Sequence, residues 1–289
     1  FAAAITAGGS LVTPIIPPGI ALIIYGLVAD VSIGKMFIAG LVPGLLCAVV
    51  LMFTVYLVAR KTNAKPSRES WPTGKEVVFS LGQAWPALFL IFAVVGGIRA
   101  NIFTPTEAGA AAVLIVLAIG FFIYREMRIS HVVKALGETA RATASVMLVI
   151  MASAALGWIF SMEHAGVAVA NFVTSLTENK YMFLLIINIL LLTLGMFLEG
   201  NAILLILVPL LKPVVEHFGI DPVHFGIIMI FNLSIGAFTP PVGTVMLLVC
   251  NITQVSVGNF FKQSLPLLAA LLLMLMLVTY IPAISLFLV

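Results

Sequence analysis

Ser234-Ile235-Gly236-Ala237-Phe238-Thr239-Pro240-Pro241-Val242-Gly243-Thr244 is a cluster of helix breakers set inside an otherwise continuous apolar run. Residues 225–231 precede it and residues 245–250 follow it, so the cluster falls where the middle of a membrane span belongs. Proline has no N–H and its ring clashes with the preceding turn. Pro240 and Pro241 therefore stop the first half-helix and leave several of its carbonyls unpaired. In hydrocarbon each orphan carbonyl costs several kcal/mol unless protein, water or a bound ion supplies the partner. A broken helix at bilayer depth is thus a candidate cation and substrate site.

The same device occurs near the start of the chain. Gly8-Gly9-Ser10-Leu11-Val12-Thr13-Pro14-Ile15-Ile16-Pro17-Pro18-Gly19 interrupts another apolar run. Pairing Pro17-Pro18 with Pro240-Pro241 takes a shift of 223 residues, and Pro43 meets Pro266 at the same shift. At a shift of 224, Phe1 meets Phe225 and Ser32-Ile33-Gly34-Lys35-Met36-Phe37 meets Ser256-Val257-Gly258-Asn259-Phe260-Phe261. The chain contains a long internal repeat, and matching interrupted segments in two halves are the sequence mark of a secondary transporter's site.

Composition gives the broad class. Hydrophobic residues make up 62% of the chain and charged residues 9%, against roughly 25% charged in a soluble domain, and mean hydropathy is +1.24. The pattern is that of an integral membrane protein in a lipid bilayer. Basic residues gather in Arg60, Lys61, Lys65, Arg68 and Lys75, and again in Arg125, Arg128, Lys134 and Arg141. Lys- and Arg-rich loops stay cytoplasmic, so both segments are expected there. The net charge of +3 calls for no nucleic acid partner. Cys47 and Cys250 fit no metal or redox spacing and read as packing residues. Residue 1 is Phe within a hydrophobic pattern, and an upstream part of the first repeat is expected to be missing.

Between the breaks, residues 36–59 are long enough to span, with Pro43 and Gly44 bending them. A polar loop over 62–73 carries Trp71, which with Trp85 suits a headgroup anchor. Residues 75–83 are expected along the interface, followed by two short spans at 86–97 and 108–124. Thr104, Pro105 and Glu107 read as N-cap, N1 proline and first-turn carboxylate. Residues 129–138 are amphipathic and expected on the membrane surface. A small-residue-rich span follows from Ala140 and ends at Glu163 and His164, the latter a loop residue. Residues 181–198 span. Then Pro209 and Pro213 interrupt an apolar run well short of ~20 residues, which predicts a re-entrant helical hairpin over 199–217 with Glu199, Gly200 and Asn201 near its tip. Gly219-Ile220-Asp221-Pro222 starts the second broken helix, 221–252. Residues 256–262 are expected at the interface and 265–288 as the last span. The expected divisions are 1–59 for the remainder of the first repeat, with its broken helix over 1–30, then 60–103 for a cytoplasmic loop and connecting span, and 104–289 for the second repeat.

No residue set is built for covalent catalysis. Gly8-Gly9-Ser10-Leu11-Val12 lacks the second flanking glycine of a nucleophile elbow, and the chain has neither a zinc-protease motif nor a phosphate-binding loop. The protein is expected not to be an enzyme and to need no cofactor. An ion gradient is the simplest energy source. The breaks offer Na⁺ the carbonyls of Gly9, Val12 and Pro14 and of Gly236, Thr239 and Pro241, with the hydroxyls of Ser10, Thr13, Ser234 and Thr244 nearby. The N-termini of the half-helices after each proline pair favour an anionic substrate group, and Asn201 adds a polar side chain near it.

Phe103-Thr104-Pro105-Thr106-Glu107-Ala108-Gly109, Gly219-Ile220-Asp221-Pro222-Val223-His224-Phe225-Gly226 and the two diproline breaks together resemble the large membrane subunit of tripartite ATP-independent periplasmic (TRAP) transporters. The resemblance covers essentially the whole chain. It implies an all-α integral membrane protein of the bacterial inner membrane, an inverted-repeat, elevator-type transporter with discontinuous helices and a re-entrant hairpin. It implies Na⁺-coupled import of organic acids such as C4-dicarboxylates or sialic acid. It further implies a small membrane subunit and a periplasmic binding protein as partners. The family's sodium sites carry over onto Gly9, Val12 and Pro14, and onto Gly236 and Thr239 with Gly200; its first hairpin has no counterpart in these residues. An ion channel and a non-transporting structural membrane subunit are the alternatives the residues leave open.

Overall fold

A computed structural model describes residues 1–61, 72–100, 102–163 and 165–289, and among these it contains helices and no strand. In chain order the helices are α1 (Ala2–Ser10), α2 (Ile20–Ala29), α3 (Ile33–Lys61), α4 (Gly74–Arg99), α5 (Pro105–Ala118, continued by a π-helical turn Ile119–Ile123), α6 (Ile129–Met162), α7 (Ala165–Leu176), α8 (Lys180–Phe197), α9 (Gly200–His217), α10 (Pro222–Phe238), α11 (Thr244–Thr253), α12 (Val257–Tyr280) and α13 (Ala283–Leu286). Seven of these segments are long and apolar enough to cross a membrane: Ile33–Lys61, Gly74–Arg99, Pro105–Ile123, Ile129–Ala152, Lys180–Phe197, Gly200–His217 and Val257–Tyr280. The protein is an all-α, multi-pass membrane protein. Lys65, Arg68, Trp71 and most of the 62–73 loop, together with His164, lie outside the described residues.

The helices form two compact units, Phe1–Lys61 with Val149–Val289, and Thr62–Leu148. The division expected between 103 and 104 falls inside the second of these. In that unit α4 packs against α5. The Thr104 hydroxyl caps α5 by accepting from the Glu107 amide at 3.3 Å, and Glu107 Oε2 takes the Thr104 amide at 2.8 Å.

Three expected surface segments are instead continuous with the spans they precede. Residues 75–83 belong to α4, 129–138 to α6 and 256–262 to α12. Nothing in those stretches breaks a helix, and a proline in the body of a helix forfeits a bond and bends the axis without ending it where packing holds both sides. Pro86, Pro43 and Pro266 all lie inside helices. The last span stops at Tyr280, short of the expected 288, because Pro282 biases Ile281 away from helical backbone, to φ −119° and ψ 84°.

The hairpin also differs from the expected one. Residues 200–217 form a single helix through Pro209 and Pro213. The chain turns at the extended pair Leu198 and Glu199 between α8 and α9, 18 residues each, and the two diverge from that corner, α8 packing on α10 and α9 on α7 and α2. Asn179, Glu199 and Asp221 cap α8, α9 and α10 with side-chain oxygens. Arm α9 survives its two prolines because Ile203, Leu204, Val208, Leu211, Val214 and Val215 are buried on one side, where the helix meets α2 and α7.

Residues in α10 are buried almost all the way round, from Val223 to Gly236, among α8, α9, α12, α3, α2, α13 and α11. A helix apolar on every side belongs in the middle of a bundle, and α10 is the central post of its unit.

The repeat is visible in the backbone. At a shift of 224, Gly19 corresponds to Gly243 as the N-cap of a 10-residue helix. At the other end Asp30 (φ 58°) corresponds to Gln254 (φ 55°), both left-handed, and the next helix starts at Ile33 or Val257. The amides of Val31 and Val255 reach back to the carbonyls of Gly26 and Cys250. Both diprolines contain a cis peptide bond. Packing repeats with the halves exchanged: α1 lies on α11 and α12 as α10 lies on α2 and α3, while α3 and α12 pack on each other. The first half of each interrupted helix adjoins the second half of the other, so the two run in opposite directions.

Candidate functional site

At the second break α10 ends with Phe238, and Thr239 takes up an extended backbone (φ −102°, ψ 136°). Its amide donates to Gly236 O at 3.0 Å and its hydroxyl to Ile235 O at 2.7 Å. The carbonyls of Ala237 and Thr239 both turn toward Gly243. A methyl group added there would stand 2.7 Å from Thr239 O and 3.2 Å from Ala237 O. Gly243 itself has φ 46°, a left-handed conformation that glycine adopts without penalty. Glycine therefore lets peptide oxygens close in on the start of α11.

The first break makes the same close approach with one oxygen. After α1 the chain continues in tight turns, Leu11 N to Gly8 O, Val12 N to Gly9 O and Thr13 N to Ser10 O at 3.2–3.3 Å, closing with Ile15 and Ile16 N on Val12 O. A methyl group at Gly19 would stand 2.5 Å from Pro14 O. In α3, methyls at Gly40 and Gly44 would meet Ile15 O at 2.3 Å and Ile16 Cγ1 at 2.5 Å. Gly44, expected to help bend α3, lets the break settle on the helix. Gly9 and Val12 line a cleft of about 440 Å³ shared with Gly8, Leu51, Met52 and Leu267.

The other expected residues fall as follows. Ser10 donates to Ala7 O at 2.7 Å and buried Ser234 to Ile230 O at 2.8 Å. A hydroxyl that gives its proton to a carbonyl keeps its lone pairs for a cation. Gly200 and Asn201 open α9, with Asn201 Nδ2 on Glu199 Oε1 at 2.7 Å. Thr13, Pro241 and Thr244 are exposed, Thr244 as the first residue of α11.

The α8–α9 corner is brought to the second break. Gly243 N donates to Met196 O at 3.0 Å, and a methyl group at Gly200 would touch Leu233 Cβ at 3.4 Å. Below the corner α8 and α10 meet backbone to backbone: a methyl at Gly236 would lie 2.6 Å from Gly195 Cα and carbonyl carbon. Sequence reasoning named Gly236 as an ion ligand and missed this packing role, along with Gly195, Gly19 and Gly243. The available signal was the glycine that follows each diproline at the matching repeat position.

The half-helices α2 and α11 begin without a capping side chain, unlike α8, α9 and α10. Their first N–H groups have no capping side chain as acceptor, and helix N-termini favour anions. Among the described residues no three His, Cys, Asp or Glu side chains gather to hold a metal. The peptide oxygens gathered at the two breaks carry no formal charge.

Residues 1–284 match the family described as tripartite ATP-independent periplasmic transporter, DctM component. The chain is 39% identical over 290 residues to the C4-dicarboxylate TRAP transporter large permease protein DctM of Pseudomonas aeruginosa, covering 99% of this chain and 66% of that one. It is 39% identical over 292 residues to the sialic acid TRAP transporter large permease protein SiaM of Vibrio cholerae, covering 100% and 67%. It is 33% identical over 281 residues to the 2,3-diketo-L-gulonate TRAP transporter large permease protein YiaN of Escherichia coli, covering 97% and 66%. The chain thus spans about two thirds of the length of these relatives, which are permeases and not enzymes.

Proposed function

Because this chain belongs to the DctM component family of tripartite ATP-independent periplasmic transporters, we propose that it carries the transport machinery of a Na⁺-coupled importer of organic acid anions in the bacterial inner membrane. The observation that carries this reading is the close approach of peptide oxygens to the glycine that opens each second half-helix, Pro14 O at Gly19 and Thr239 O with Ala237 O at Gly243. Peptide oxygens of unwound helices coordinate Na⁺ in secondary transporters. The anion belongs at the uncapped starts of α2 and α11, next to those oxygens. Substrate class follows the relatives, whose names give C4-dicarboxylate, sialic acid and 2,3-diketo-L-gulonate. A periplasmic binding protein delivers the anion, and a small membrane subunit completes the assembly.

The mechanism we propose is an elevator. Both interrupted helices and the α8–α9 corner belong to one compact unit, which supports a transport domain moving as a body. Na⁺ at the second break ties carbonyls of the α10 end to the region held by Met196 O, so the hairpin corner closes when the ion is present. Removing it frees the corner.

Uptake by the whole transporter in proteoliposomes, with its binding protein supplied, tests the reading. Substrate should accumulate only with an inward Na⁺ gradient and stop when choline replaces Na⁺. Equal uptake driven by a proton gradient alone would overturn Na⁺ coupling, and unitary currents in bilayer recording would replace the carrier with a channel.

A further inference from the structure

Between α8, α10, α12 and α13 lies a chain of buried polar groups that the ion and anion sites do not use. Asn232 Nδ2 donates to Asn188 Oδ1 and, at 3.3 Å, to Ile228 O. Asn188 Nδ2 donates to Thr279 Oγ1 at 3.0 Å. The Thr279 carbonyl accepts from His224 Nε2 at 3.3 Å, and His224 Nδ1 meets Ser285 Oγ at 2.6 Å. Asn188, Asn232, Thr279, His224 and Ser285 are each no more than 2% exposed. Asn232 Oδ1 is buried with no partner. Turning both amides over does not remove the deficit: Thr279 would then donate to Asn188 and Asn188 to Asn232, leaving the Asn232 amide nitrogen facing the same empty side and Ile228 O with its helical donor alone.

Two apolar residues would fill this place without an orphaned polar atom, so the pair is poor value for stability alone. Its position supplies another role. Asn232 stands one helical turn before Gly236, and Asn188 two turns before Gly195. The two amides and the two glycines therefore lie along one seam between α8 and α10. Apolar contacts in a seam tolerate sliding, whereas a directional hydrogen bond fixes a single register. Above the seam, Met196 O of α8 holds Gly243 N, beside the oxygens of Ala237 and Thr239.

We infer that Asn188 and Asn232 are positioning residues for the ion site at the second break: they fix the register of α8 on α10 and thereby place Met196 O under Gly243. This rests on the reading of that break as a Na⁺ site. Neither asparagine touches the ion. They act on it through α8, as outer-shell partners orient the ligands of a metal.

The test measures half-saturating Na⁺ for uptake, and Na⁺-dependent thermal stabilisation, in the whole transporter. Asn232→Leu and Asn188→Leu should each raise the half-saturating concentration about tenfold, the usual scale for losing an outer-shell partner. The double variant should be no worse than the worse single one, since both break one hydrogen bond. Phe183→Leu is the control. Phe183 is buried in the same helix and stacked on Phe218 at 4.7 Å, so it should lower the melting temperature without moving the Na⁺ midpoint. If Asn232→Leu does not fold, Asn188→Leu carries the test, because Asn232 then still has Ile228 O. Unshifted Na⁺ midpoints in folded variants, or an equal shift in Phe183→Leu, overturn the inference. A parent protein with no Na⁺ dependence brings down the ion-site reading first, and this one with it.

Discussion

Tyr25 in the first interrupted helix lays its ring on Gly226 in the second and donates its hydroxyl to Pro222 O at 2.7 Å, across 197 residues of sequence. A methyl group at Gly226 would stand 2.4 Å from Tyr25 Cε1 and 2.7 Å from Met36 Cε. The contact joins α2 to the start of the central post, and it exists only because position 226 has no side chain.

Gly226→Ala should therefore lower stability by about 1–3 kcal/mol, the usual scale of overpacking. Gly109→Ala, with nothing within 4 Å of the added methyl, should gain up to about 1 kcal/mol of helix propensity. Thermal melting in detergent compares the two, and equal changes would deny the tight contact.

Gly236→Ala drives a methyl into the Gly195 backbone, which cannot rotate away as a side chain can. We expect a loss of stability at the upper end of that range or beyond, together with loss of uptake that saturating Na⁺ does not restore. Gly195→Ala, whose nearest neighbours are 3.3–3.5 Å away, should be milder. A milder Gly236 variant would reverse the assignment.

Thr239→Val removes the hydroxyl from Ile235 O while keeping the shape of the side chain. The lost bond is worth about 1 kcal/mol, and the Na⁺-induced rise in melting temperature should shrink as well. If that rise is unchanged, the hydroxyl is a helix cap and nothing more.

Glu107 makes its hydrogen bonds within its own capping box, to the Thr104 amide and hydroxyl. Glu107→Gln should leave Na⁺-driven uptake within about twofold, whereas Thr104→Ala should cost about 1 kcal/mol of stability as a lost cap. Abolished uptake in folded Glu107→Gln would assign the carboxylate to coupling.

Much of this was legible in the sequence because diproline in hydrocarbon has few structural uses. Pro17-Pro18 and Pro240-Pro241 marked both interruptions, and the spacing that joins them marked the repeat. Asp221-Pro222 and Thr104-Pro105 gave helix starts through local chemistry that burial does not override. What failed were surface segments and the hairpin. Polar residues at 75–83, 129–138 and 256–262 looked like separate interfacial helices, but polarity at a membrane boundary does not itself break a helix. Pro209 and Pro213 looked like interruptions, yet the buried face of α9 holds the helix through both. The close approaches at Gly195, Gly236 and Gly226 were invisible, since a glycine that admits a neighbour is known only from the neighbour. The Asn188–Asn232 pair was equally hidden, each residue being a lone amide in an apolar run.

The antiparallel course of the two interrupted helices also bears on how the chain is threaded into its membrane. Equivalent helices α3 and α12 must finish on opposite faces, so a shared ancestral signal for orientation would work for one copy and against the other. The chain shows the asymmetry this demands: α3 ends on Arg60 and Lys61, while the last turn of α12 has no basic residue. Positive charge retained at one copy and lacking at the other lets the insertion machinery seat both, because cationic flanks resist translocation.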